Sequence, residues 1–298
     1  GTKDTPLHMA VKDEDTSNIG IVQLLLQKGA DVNATGNGGE TPLHTASRNV
    51  DSRLAEFLLE EGADIEATDV HQLTPLHHAC LNGRVECAHM LLVRGADIDG
   101  KFSMGEILLS ILCAMTHIEC EERGDEVYRS IILTLLSRGV HIQAVGGEER
   151  MTLLHASCMA GRLETAKLLV DFGAELETSA ANGTTPLHAA CISGHELVVA
   201  FLLDRGADIH ARANIGTTPL HDACISGHNE VVTLLLNRGA DIEAKANDGS
   251  TPLHIACLAG QMQVADLLLK RGADIEARTG PRMNGQTPLF LATPGDVD

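Results

Sequence analysis

A four-residue motif recurs along the chain at a nearly constant interval, and this recurrence constrains the fold more than any other feature of the sequence. Copies of Thr-Pro-Leu-His begin at Thr5, Thr41, Thr74, Thr185, Thr218 and Thr251, with the variants TLLH at Thr152 and TPLF at Thr287. A degenerate copy near Glu106 divides the longest interval. The sequence therefore predicts a single domain over residues 1–298, with about nine repeats that start near residues 5, 41, 74, 106, 152, 185, 218, 251 and 287, the last of them incomplete.

Each repeat carries the signals of two short helices, as residues 185–211 illustrate. Thr185 suits the N-cap of a first helix, and Pro186 suits its first turn. Gly194 ends this helix, and a second helix with apolar residues at helical spacing runs to Gly206, which supplies a left-handed stop. Neither helix is long enough to be stable alone in water, so the repeats must stack and bury their apolar faces against each other.

The repeat resembles a known family. A period of 33 residues with TPLHxA, GHxxVVxxLL and GADIxA is similar to the ankyrin repeat, and the resemblance covers essentially the whole chain. It implies an all-α ankyrin-repeat solenoid, in which stacked helix-turn-helix units carry projecting hairpin loops. It also implies a groove between the hairpin tips and the first helices that binds another protein, and it supplies no catalytic residue.

The fourth repeat departs from the pattern because it is about a dozen residues longer than its neighbours. The additional segment near residues 117–125, HIECEERGD, is acidic. We expect it to form either a lengthened first helix or a loop between the two helices. A second reading is local: Cys113, His117 and Cys120 could present three metal ligands on one helix, with Glu119 or Glu121 as a fourth. The prediction adopted is a partly buried helix without metal.

Charge narrows the classes of partner. The chain has 22 basic and 41 acidic residues, a net charge of −19, which repels the phosphates of nucleic acids and anionic lipid surfaces. We expect neither nucleic acid nor membrane as a partner, but a protein or peptide that carries basic and aliphatic residues. No apolar run is long enough to span a bilayer.

Histidines and cysteines follow the repeat, which favours structural roles. The motif histidine is expected, from the resemblance, to brace the motif threonine and the backbone of the next repeat. Cys80, Cys158, Cys191, Cys224 and Cys257 each lie six residues after a motif threonine. Such a column of small buried residues is too widely spaced for disulfides and is typical of a reducing, intracellular compartment, cytoplasmic or nuclear.

The position after the cysteine column is apolar in six repeats. Together with the residue after it and with the hairpin tips, this column forms the predicted partner-binding groove, comprising Leu81, Asn82, Met159, Asn182, Thr184, Ile192, Ser193, Ile215, Thr217, Ile225, Ser226, Asp248, Ser250 and Leu258. Cys113 occupies the column in the fourth repeat. The alternative is that the column packs partly under the neighbouring repeat.

The sequence therefore predicts a monomeric array that acts as a protein–protein interaction module. The alternative is a structural or autoinhibitory arm of a larger multidomain protein. No nucleophile motif, phosphate-binding loop or zinc-binding helix is found, so we expect no enzyme activity, no catalytic residue, no cofactor and no bound metal.

Overall fold

The computed structural model describes residues 3–12, 18–97, 122–139, 141–143, 145–146 and 149–292. For residues 122–128, 146 and 282 the structure describes the backbone and not the side chains. The first helix of the repeat near Glu106 and the Cys113, His117 and Cys120 cluster lie outside the described residues. The chain divides into two compact units, Gly1–Gly146 and Gly147–Asp298.

The N-terminal unit is built from pairs of short helices. Its helices are α1 (Pro6–Lys12), α2 (Ile19–Gln27), α3 (Pro42–Ala46), α4 (Arg53–Glu60), α5 (Pro75–Leu81), α6 (Val85–Val93) and α7 (Glu122–Ser137), with a 3₁₀ turn at Asn37–Gly39 and a short strand, β1 (Val145–Gly146). In the described part of this unit, the first helices α1, α3 and α5 pack in sequence order, and each packs on its own second helix.

The C-terminal unit has the same construction with greater regularity. It contains β2 (Met151–Thr152), α8 (Leu153–Met159), α9 (Leu163–Asp171), α10 (Pro186–Ser193), α11 (Glu196–Asp204), α12 (Pro219–Ser226), α13 (Asn229–Asn237), α14 (Pro252–Leu258), α15 (Met262–Lys270), a 3₁₀ turn at Pro281–Met283 and α16 (Pro288–Ala292). First helices pack on first helices and second helices on second helices. The prediction of an all-α stack of helix pairs is confirmed.

The helices begin and end at the residues that the sequence indicates. Thr185 is extended, at φ −95° and ψ 168°, and Pro186 is the first residue of α10. Gly194 and Gly206 take left-handed conformations, with φ of +79° and +92°. The N–H of Ala207 bonds back to the carbonyl of Leu202, 3.0 Å away, and so satisfies an orphan acceptor at the end of α11.

The motif threonine was expected to cap its helix through its hydroxyl, but the imidazole three residues later makes the shorter bonds. The N–H of Thr152 donates to Nδ1 of His155 at 3.3 Å, and the hydroxyl lies 2.8 Å from the same nitrogen. The N–H of His155 reaches the hydroxyl only at 3.4 Å. Histidine thus takes the place that Glu or Gln has in a capping box.

Aliphatic residues and cysteines form the core between the two layers of helices. Leu187 and Cys191 on α10 and Val198, Val199 and Leu202 on α11 are all buried. The cysteine column is confirmed as buried except at Cys257, which is partly exposed, and the described cysteines are free thiols. Burial raises the pKa of these thiols, so they are poor nucleophiles.

The acidic segment of the fourth repeat differs from the expectation in its described part. Residues 122–125 form the first turn of α7, a 16-residue helix that ends before Gly139 and therefore stands in the place of a second helix. The expectation of a lengthened first helix or of a loop is wrong for these residues. Residues 117–121 lie outside the described ranges. These residues are continuous with the helix whose apolar residues begin at Val127.

The helices of the described ranges include none with both the length and the apolar character needed to cross a bilayer.

Candidate functional site

The hairpin loops of the C-terminal unit are tied to one another by a ladder of backbone hydrogen bonds. The N–H of Asn214 donates to the carbonyl of Asn182 at 2.9 Å, and the N–H of Asn247 donates to that of Ile215 at 3.0 Å. The side-chain amides repeat the pattern, since Nδ2 of Asn247 donates to the carbonyl of Asn214 at 2.9 Å. The loops are therefore rigid neighbours rather than independent projections.

Glycine at a hairpin tip allows this close approach. Gly216 has φ +81°, and a β-carbon there would meet the Asn247 side-chain oxygen and lie 2.7 Å from the Asn247 backbone nitrogen. Gly239 has a similar φ of +91°, but a β-carbon there would meet nothing within 4 Å. The two positions therefore share the backbone strain and differ only in the available space.

We expect Gly216→Ala to destabilise the C-terminal unit more than Gly239→Ala. The left-handed conformation alone costs about 1–2 kcal/mol for a residue with a side chain, and this cost applies to both variants. Gly216→Ala must in addition displace the Asn247 backbone from its bond to Ile215. Urea unfolding followed by circular dichroism measures both variants. Equal losses of stability would show that the hairpins are not tightly packed.

The motif histidines hold the hairpin residues in place. Nδ1 of His188 accepts from the N–H of Thr185 at 3.2 Å, and Nε2 lies 3.3 Å from the carbonyl of Thr217 in the next repeat. Because a carbonyl oxygen only accepts, Nε2 carries the proton and the ring is neutral. Burial lowers the pKa of His188 to about 4, against a smaller opposing effect of the Thr217 carbonyl. The expected bracing role of the motif histidine is confirmed.

The apolar column is exposed in the repeats where the structure describes it. Ile192, Ile225 and Leu258 are 42%, 50% and 58% exposed, and Leu81 in the N-terminal unit is also exposed. Met159 is half-buried. About half of each of the Ile192, Ile225 and Leu258 side chains is covered, so the groove and the alternative of partial packing under a neighbouring repeat both stay predictions. Cys113 lies outside the described residues.

The predicted hairpin and helix-end residues have different accessibilities. Asn82, Asn182 and Ile215 are exposed, whereas Thr184, Ser193, Thr217, Ser226 and Asp248 are half-buried. Ser250 is only 2% exposed, and its carbonyl accepts from His221 at 3.1 Å. Its side chain is therefore not available to a partner, because the residue is buried where His221 bonds to its backbone.

A depression of about 210 Å³ lies between α8, α10 and the adjoining loops. Its walls are formed by Glu149, Met151, Met159, Ala180, Asn182, Thr184, Ala189 and Ile192. Four of these, Met159, Asn182, Thr184 and Ile192, belong to the predicted groove. The structure thus brings helix-end and hairpin members of that set together around one apolar hollow. The groove of the C-terminal unit is the surface between its hairpin tips and the ends of its first helices.

Asp222 is a residue of this region that the repeat pattern did not reveal. It lies on α12, one helical turn before Ile225, and is 9% exposed. The nearby Thr217 hydroxyl favours the charged form of its carboxylate, while Oδ2 has no hydrogen-bond partner among the described residues. Burial, only partly offset by Thr217, raises the pKa of Asp222 to about 7. The available signal was its place in the motif TPLHxA, where the other repeats of this unit have Ala, Ile or Leu.

The N-terminal unit has a polar network in the corresponding place. Arg48, in the apolar column position of its repeat, bonds to both carboxylate oxygens of Glu40 at 2.7 Å and lies 3.1 Å from Nδ1 of His78. Nε2 of His78 lies 3.1 Å from Asp69. Arg48, together with smaller effects of nearby His78 and His44, lowers the pKa of Glu40 against its burial.

Glu40, Asp69 and His78 are also close enough together to hold a metal ion, with ligand atoms within 4.8 Å of one another. The Arg48 guanidinium already supplies a cation to this cluster, so its groups satisfy each other without one. Sequence spacing gave no sign of the cluster, because its members come from different repeats.

Comparison with known proteins gives one result. A family model described as ankyrin repeats in three copies matches residues 7–102, 117–213, 210–279 and 245–297. A search among curated proteins finds no significant match.

Proposed function

Because the chain belongs to the ankyrin-repeat family, we propose that its C-terminal unit binds another protein through the groove between the hairpin tips and the first helices. Ankyrin repeats are generally protein–protein interaction modules and are typically not enzymes. The proposal names the surface and the chemistry of the partner, which the family alone does not supply.

One observation supports the proposal above all others. Exposed apolar side chains, Ile192 and Ile225 among them, stand in a row beside hairpins that hydrogen bonds hold rigid. A soluble chain rarely leaves such a row exposed without a binding role. A rigid surface also loses little conformational entropy on binding, so more of the contact energy appears as affinity.

The partner is proposed to be a protein segment with aliphatic and basic residues. Aliphatic side chains would fill the hollow beside Met159 and Ile192. Glu149 lines this hollow, Asp248 lies at a later hairpin tip of the same unit, and the net charge of −19 attracts cations over a longer range. The free thiols of the described cysteines favour a reducing, intracellular compartment. The monomeric state and the alternative role as an arm of a larger protein stay predictions.

Ile225→Arg tests the groove. Because Ile225 is half exposed, we expect a stability change below about 1 kcal/mol and a loss of binding, since the substitution places a bulky charge on the apolar floor. The probe is a set of short peptides selected on the wild-type chain from a random display library. Their affinities for the variant are measured by fluorescence anisotropy, beside its urea unfolding curve.

The matched control is Leu197→Arg. Leu197 is 70% exposed and lies on α11, the second helix of its repeat, whereas the groove is formed by first helices and hairpins. This variant therefore adds the same charge outside the groove and is expected to retain binding. Retention of full affinity by a folded Ile225→Arg protein would place the binding surface elsewhere. Equal loss in both variants would indicate a general effect of charge.

A further inference from the structure

We propose that Asp222 is the specificity-determining residue of the groove and that it receives a lysine or arginine side chain of the bound protein. This inference rests on the proposed function, because it needs a partner in the groove. It adds that one buried carboxylate, rather than the acidic surface as a whole, selects a basic residue at a defined place.

Within the C-terminal unit, Asp222 interrupts an otherwise apolar row. The corresponding residues in the neighbouring repeats are Ala156, Ala189 and Ile255. Ala156 and Ala189 are both 5% exposed, so this row lies against the adjacent first helix. An alanine would complete the repeat at no cost, whereas a buried carboxylate loses its hydration. Such a cost is uncommon in a regular array unless a charged partner offsets it.

Within the described part of the chain, the protein offsets this cost only in part. The nearby Thr217 hydroxyl favours the charged form of the Asp222 carboxylate, and Oδ2 lacks a hydrogen-bond partner. No described basic side chain forms an ion pair with it. The guanidinium of Arg212, on the same hairpin as Thr217, instead bonds to the carbonyls of Gly216 and Lys245, at 3.1 and 2.8 Å. The carboxylate therefore has unused acceptor capacity. Because Oδ2 is sealed from solvent in the unbound chain, a charged donor from a partner reaches it only when the covering side chains move.

The position of Asp222 suits a long basic side chain. Thr217 is a hairpin residue, and Ile225 lies on the groove floor one helical turn after Asp222. The carboxylate therefore lies beneath the groove, between the hairpin and the end of the first helix. Lysine and arginine carry apolar stems that pack on aliphatic surface while the charged end reaches a polar group. The stem would contact Ile192 and Ile225, and the charged end would reach the Asp222 carboxylate.

The titratable groups that face Asp222 do not compete for this role. They are Cys191 on α10 and Cys224 on α12, and burial raises the pKa of both thiols, which keeps them neutral. No titratable group of α14 is among those that act on Asp222. A protonated Asp222 would instead donate a hydrogen bond to a partner carbonyl, and the experiment below distinguishes this outcome from acceptance of a cation.

Asp222→Asn separates the two readings because asparagine is similar in size, is neutral and can still donate. The probes are the library-selected peptides whose binding Ile225→Arg abolishes. If Asp222 takes a cation, these peptides contain lysine or arginine, and Asp222→Asn weakens them roughly 10- to 100-fold. Replacing that residue by norleucine or citrulline weakens the wild type by a similar factor and has little further effect on Asp222→Asn. Affinity for the wild type also falls below pH 7, by at most about tenfold per unit.

The matched control is Glu230→Gln, which removes one negative charge from the exposed start of α13 in the same repeat. It is expected to leave the affinity unchanged. Unfolding curves of Asp222→Asn and of Asp222→Ala check that both are folded, and we expect both to be more stable than the wild type at pH 8 because a buried charge is lost.

The inference is overturned if groove-binding peptides lack basic residues, or if Asp222→Asn binds them as tightly as the wild type does. It is also overturned if Glu230→Gln has an equal effect, since net charge would then be responsible. Peptides that Ile225→Arg does not affect would contradict the proposed function itself. The two failures are therefore distinguishable.

Discussion

Leu235→Arg is expected to unfold at least the repeat that begins at Thr218. Leu235 is completely buried on α13, and its carbonyl accepts the bond from Ala240 that ends the helix. The substitution places an unpaired charge between packed helices and removes the aliphatic contacts, at a cost of several kcal/mol. Stabilities of whole domains are only about 5–15 kcal/mol, so we expect a large loss of helical circular dichroism at room temperature.

Ile225→Arg is the control for this effect, because it introduces the same side chain into the same repeat at an exposed position. Its unfolding curve should resemble that of the wild type. An equally unfolded Ile225→Arg would place the apolar column in the core and would remove the support for the groove. A fully folded Leu235→Arg would contradict the stacking of second helices, since α13 packs between α11 and α15.

The helices could be predicted from the sequence because their signals are local. Thr185, Pro186, Gly194 and Gly206 each act through bonds within a few residues, and the structure shows them where the motif indicates. The column of cysteines was equally predictable, because a residue at a fixed place in every repeat has the same environment in every stacked copy. The fold could thus be predicted because the sequence repeats regularly.

The sequence was less informative wherever one repeat differs from the others. Asp222, the buried Ser250 and the Arg48 cluster depend on contacts between residues of different repeats, and spacing within one repeat does not show such contacts. Residues 122–125 could not be assigned because the extra segment has no counterpart to align with. The sequence therefore predicted the apolar column and the hairpin tips of the candidate site, whereas its charged residue, Asp222, was found only from the structure.

The second prediction of large effect concerns acid. Motif histidines His44, His155, His188 and His221 have pKa values lowered chiefly by burial. Between the lowered value and the ordinary value of about 6.5, the unfolded chain binds protons that the folded chain does not. Their contribution to stability is therefore complete above about pH 6.5 and is lost as the pH falls.

His188 allows a numerical expectation. Its pKa of about 4 in the folded state implies that roughly 2 kcal/mol of stability is lost between pH 7.5 and pH 5. Asp222 acts in the opposite direction, since its raised pKa makes the folded state bind a proton that the unfolded chain releases. The measurement is therefore best made in the Asp222→Asn background, where this opposing titration is absent.

His188→Gln in that background should lose about 1–3 kcal/mol at pH 7.5, because glutamine cannot serve the Thr185 N–H and the Thr217 carbonyl together. The difference from its parent should narrow at pH 5, since the variant no longer has this proton to bind on unfolding. Urea unfolding at the two pH values measures the change, with the exposed His210→Gln as the matched control. A gap that stays constant between pH 7.5 and pH 5 would mean that His188 is not held neutral by its place between the repeats.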